Sequence, residues 1–111
     1  MFFEKCRLDD AEIVEVRVSG DELHVDYKDW CEQDLVLIFK HVAGYQWFSP
    51  QGKALSHGTV ELEDPFLSLA CEMADEDGVG GFKVFSFVSA WSDAKMLRVV
   101  AKEVALSEIG R

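Results

Sequence analysis

Basic side chains are scarce in this chain: 11 Lys and Arg stand against 21 Asp and Glu, a formal net charge of −10. That imbalance repels phosphate backbones and anionic headgroups, so neither nucleic acid nor membrane is expected as a partner. Apolar runs are short of the ~20 residues needed to span a bilayer. Glu4-Lys5 interrupts Met1-Phe2-Phe3 before an apolar leader can form. The expectation is a cytoplasmic protein. Cysteine is limited to Cys6, Cys31 and Cys71, without a Cys-x-x-Cys pair. In a reducing compartment these read as free, mostly buried thiols.

Catalytic and metal signatures are also missing. His24, His41 and His57 are isolated, so no local pair starts a zinc site. There is no Gly-x-Ser-x-Gly elbow. Asp75-Glu76-Asp77-Gly78 fails as a calcium loop: with Gly78 at the sixth position, Met73 and Val84 fall where oxygen ligands are required. Gly78-Val79-Gly80-Gly81 lacks the Lys-Ser/Thr of a phosphate loop and follows a run of acids. Among 21 carboxylates, pairs such as Asp9-Asp10 arise by chance. No catalytic residue, metal or cofactor is expected.

What the chain does contain is period-2 alternation. Val14, Val16 and Val18 alternate with polar residues, as do Leu23, Val25 and Tyr27 beyond the Gly20–Glu22 turn. This predicts a hairpin with one buried face. Leu35-Val36-Leu37-Ile38-Phe39 is apolar on both sides and reads as a central strand covered on both faces. Ser49-Pro50-Gln51-Gly52 reads as a turn. Thr59–Glu63 reads as a short strand with Val60 and Leu62 inward. Asp64-Pro65 is a helix start, and Phe66, Leu69, Ala70 and Met73 then keep helical spacing to about residue 74. Phe82–Trp91 reads as a strand. Segment 94–106 fits both helix and strand periodicity; Val99-Val100 and a hairpin with Phe82–Trp91 favour strand. Length allows a single domain, 1–111, and the 49% hydrophobic content supplies its core. The fold class is α+β and β-dominated: an antiparallel sheet, or a partly open barrel or sandwich, with one short helix near residues 65–74. Leu37, Phe39, Val84 and Phe87 are expected to share one core.

Charge is unevenly placed. Residues 1–34 carry 11 acids and 4 bases, and residues 61–77 carry seven acids and no base. The bland reading of such runs is a solvated surface. The sharper reading is a face for a basic protein partner, because such charge speeds encounter with cationic surfaces. Its residues would be Asp26, Asp29, Trp30, Glu32 and Asp34 in the first region, and Glu61, Glu63, Asp75, Glu76 and Asp77 in the second. Trp30 or Trp47 would serve as an anchor, since Trp and Tyr are enriched at interfaces. Tyr45, Phe48 and Trp91 are further aromatics at predicted strand ends, where core packing is the commoner role.

The order of signals resembles a loose group of small bacterial β-rich proteins that includes immunity proteins of polymorphic toxin systems. An acidic start runs into a hairpin (Leu8-Asp9-Asp10 to Val16), a central Leu37-Ile38-Phe39-Lys40-His41-Val42-Ala43-Gly44 follows, and Phe85-Ser86-Phe87 and Leu97-Arg98-Val99-Val100-Ala101 close the chain. The group's frequent His-Asp is here Asp9-Asp10, and no catalytic residue carries over. With the charge pattern, which points to a basic partner, the resemblance makes the expected role that of a non-enzymatic, immunity-like protein-binding domain, in which a homo-oligomer is also possible. The alternative is a small enzyme or ligand-binding protein whose pocket is assembled from distant residues.

Overall fold

The computed structural model describes residues 3, 8–49, 52–76 and 78–108. Eight strands form two four-stranded antiparallel sheets. The first sheet has the order β1 (Glu12–Ser19), β2 (Glu22–Lys28), β3 (Asp34–Lys40), β8 (Glu103–Glu108). The second has the order β4 (Gly44–Trp47), β7 (Lys95–Ala101), β6 (Lys83–Ser89), β5 (Leu55–Glu61). Helix α1 (Pro65–Met73) lies on the outer face of the second sheet. The architecture is thus the β-dominated α+β class with an open sandwich. Among the described residues no helix is long and apolar enough to cross a membrane.

The sheets face each other through the residues that alternation marks. Leu23, Val25 and Tyr27 of β2 and Leu35, Leu37 and Phe39 of β3 point inward, against Phe85, Phe87, Leu97 and Val99. Phe3 sits among them, its ring edge-on to Phe85 and Phe87 at 5.3 and 5.2 Å between centroids. Gly58 makes that position available: a Cβ there would meet the Phe3 ring at 2.5 Å. One side of the sandwich is stitched where β1 meets the start of β5, through Leu55 N–H to Ala11 O at 2.8 Å and Gly52 N–H to Ile13 O at 2.8 Å. On the other side the chain itself joins the sheets, because β7 passes at Lys102 directly into β8.

Several expectations are corrected. A bulge between Ile13 and Glu15 makes Val14 the extra residue of β1, so Ile13, not Val14, is buried opposite Tyr27. Val18 is exposed because β1 is an edge. β3 is interior to its sheet, but α1 covers the other sheet. Val36 and Ile38 therefore sit on an outer face that no helix covers among the described residues. The helix starts as expected, with Asp64 accepting from Phe66 N–H at 2.8 Å and Pro65 opening the first turn. Its buried stripe is Leu67, Ala70 and Cys71, while Leu69 and Met73 face out. Val84 belongs to this second cluster with Val100 and Phe82, not to the core of Leu37, Phe39 and Phe87. Leu62 is exposed, and Cys31 is an exposed thiol. Segment 94–106 is strand, split into β7 and β8. Cys6, Asp77, and Pro50 and Gln51 of the expected turn lie outside the described residues.

Candidate protein-binding site

The first acidic region is organised by the connection between β2 and β3. Glu32 N–H donates to the Asp29 carbonyl at 2.9 Å, and Asp29 N–H donates to the Gln33 carbonyl at 3.1 Å. The Asp29 carboxylate also accepts from Cys31 N–H at 2.9 Å and Gln33 N–H at 2.8 Å. A short carboxylate that bonds the backbone two residues on is what makes Asp a turn residue. These bonds hold Glu32 in the left-handed region, at φ 62°, which non-glycine residues seldom occupy. The outcome is a tied-down loop with Trp30 near its tip, 56% exposed. Glu32 is exposed beside it, and Asp34 opens β3 with Lys28 at 3.8 Å. Three carboxylates, on Asp29, Glu32 and Asp34, and the Lys28 ammonium thus fall within four residues of one exposed indole. An indole face attracts cations, and the neighbouring carboxylates add to that field. Asp26 does not join this group: it is nearly buried on the outer sheet face, where Arg17 closes on it at 2.7 Å.

The second region is not one surface. Glu61 is engaged on the outer face of the second sheet, accepting from Lys95 Nζ at 2.8 Å, Ser86 Oγ at 3.3 Å and Arg98 at 3.4 Å. Glu63 sits before the helix, and Asp75 and Glu76 sit after it. At ~1.5 Å per residue the helix separates them by roughly 13 Å. Trp47 does not join them either. It lies opposite Leu97 on the sandwich-facing side of β4, away from the helix, and remains 42% exposed.

Sequence reasoning missed Arg98. From the centre of β7 its guanidinium reaches Asp64 at 2.8 Å, Glu61 at 3.4 Å, Ser86 at 3.3 Å and Gln46 at 3.5 Å, and it lies over the Phe66 ring at 5.3 Å. Burial raises the Asp64 carboxyl, but the Phe66 N–H and Arg98 outweigh it and hold the group below its ordinary value. The one available signal was a lone arginine inside the apolar run Met96–Ala101. With its donors turned to this chain's own groups, Arg98 acts as a latch between helix and sheet. Burial likewise raises the Cys71 thiol under the helix, which disfavours its reactive thiolate.

An enzymatic reading finds one pair: Ser56 Oγ and His57 Nδ1 lie 2.9 Å apart on the surface. Nucleophilic catalysis also needs a third group to orient the imidazole. Among the described residues no carboxylate bonds His57, and no three His, Cys, Asp or Glu side chains converge as metal ligands. Comparison with protein-family models, curated proteins and solved structures finds no match to this chain.

Proposed function

We propose that this domain is a non-enzymatic protein-binding module that docks a basic partner on the β2–β3 loop. The observation that carries the reading is Trp30, held exposed on a hydrogen-bonded loop among Asp29, Glu32 and Asp34. A fixed loop has little conformational entropy left to lose on binding. The indole supplies apolar area and a cation-attracting face, and the carboxylates speed encounter with Lys- or Arg-rich surfaces. An immunity-like role, in which the partner is a basic toxin surface, follows from the resemblance in element order.

The test follows Trp30 fluorescence in a Trp47→Phe, Trp91→Phe background. Titration with an Arg-rich peptide should shift the emission at low salt. Raising the ionic strength to physiological values, where the Debye length is ~8 Å, should weaken the effect. Glu32→Gln with Asp34→Asn should abolish most of it. An equal response to a Glu-rich peptide would remove the basis of the proposal.

A further inference from the structure

We infer that the cleft between the end of β4 and the β6–β7 turn binds a small aromatic anion, a carboxylate or sulfonate carried on a flat ring system. Three segments meet there: Phe48 after β4, Lys53 before β5, and the stretch from Ser89 to Met96. Backbone hydrogen bonds fix them to one another. Phe48 N–H donates to Met96 O at 2.9 Å, Ala90 N–H to Ala54 O at 3.0 Å, and Ser89 N–H to Ala94 O at 2.8 Å. The cleft is therefore built before any ligand arrives. Its volume is about 530 Å³, inside the roughly 300–1,000 Å³ of small-molecule sites.

The lining chemistry selects the ligand. Trp91 is 88% exposed and Phe48 62% exposed, with buried Met96 beside them. Large aromatic side chains left open to water in a fixed cleft favour a flat apolar body. The charge at this place is opposite to that of the whole molecule. Two lysines and no carboxylate line the cleft, in a chain of net charge −10. Lys95 is tied to Glu61 at 2.8 Å. Lys53 forms no ion pair among the described residues and is the ammonium left for an anion. Asp93 sits in the same turn but outside the lining. This site shares no residue with the Trp30 loop, so each can fail without the other.

The experiment titrates the full chain with anilinonaphthalene sulfonate and, in parallel, with phenylnaphthylamine, the same ring system without the sulfonate. The sulfonate should bind at a single site per chain and more tightly than the neutral probe. Lys53→Ala should weaken the sulfonate about two- to fivefold, the range an exposed ion pair can supply, and leave the neutral probe unchanged. Lys53→Arg should retain the preference, and Trp91→Ala should weaken both probes. Both positions are exposed, so the fold is retained in each variant. Equal affinity for the two probes, a preference that survives Lys53→Ala, or undiminished binding to Trp91→Ala would each overturn the inference.

Discussion

Each sheet carries an arginine on an aspartate on its outer face, and the two pairs have nearly the same length. Arg17 meets Asp26 at 2.7 Å, and Arg98 meets Asp64 at 2.8 Å. Their surroundings differ. The Arg17 side chain is 49% exposed on an uncovered sheet, whereas Arg98 is 14% exposed under the edge of α1, with Glu61, Ser86 and Gln46 as further partners. Distance alone therefore does not rank the pairs. Exposure to water and the number of partners left behind on removal decide what each is worth.

The covered face should be the costlier one to damage. Leu67→Ala empties a site that is almost fully buried between α1 and the sheet, and should destabilise by about 2–5 kcal/mol in chemical denaturation. Arg98→Ala should cost about 1–3 kcal/mol, because it strips half-buried Asp64 of its only ion-pair partner among the described residues, while Glu61 keeps Lys95. High salt should change that figure little. Asp64→Asn probes the same latch through pH. The folded carboxyl is held below its ordinary value, so its contribution is complete above the unfolded value, ~3.9, and is lost as pH falls through the lowered folded value. Asn still caps a helix, so the variant should show a flatter loss of stability in acid than the parent, measured by denaturation from pH 6 downward. A smaller effect is expected for Arg17→Ala, about 1 kcal/mol and shrinking with added salt: half-exposed Arg17 is largely hydrated, though its loss leaves nearly buried Asp26 without that partner. A cost for Arg17→Ala equal to that of Arg98→Ala would dissolve the comparison.

The sequence made the sandwich legible where local pattern and final packing agree. Leu23, Val25 and Tyr27 alternate because β2 has one buried face, and Asp64-Pro65 caps a helix with local bonds alone. The misreadings all have long-range causes. The β1 alternation was broken by a single extra residue, Val14, which the sequence does not mark. The helix offered two apolar stripes. Ala70, common to both, packs against Gly44, and it is Leu67 and Cys71, not Leu69 and Met73, that join it on Phe82, Val84 and Val100. For the candidate site, the Asp29–Asp34 loop and its Trp were visible as a cluster. The scattering of Glu61, Glu63, Asp75 and Glu76 was not, since it depends on where α1 lands and which way Glu61 turns.

The pairing of β3 with β8 also sets a timetable. Leu37 lies opposite Leu106, and Phe39 opposite Val104. A ribosome adding ~5–20 residues per second reaches these partners roughly 3–14 s after β3 has been made. During that interval β1, β2 and β3 can form a meander, but its edge is bare and its Leu23, Val25, Leu37 and Phe39 face has no second sheet to cover it. Bare apolar edges invite pairing between neighbouring chains. A translational pause between Lys40 and Glu103 would lengthen this exposure, whereas a pause before Asp34 would not.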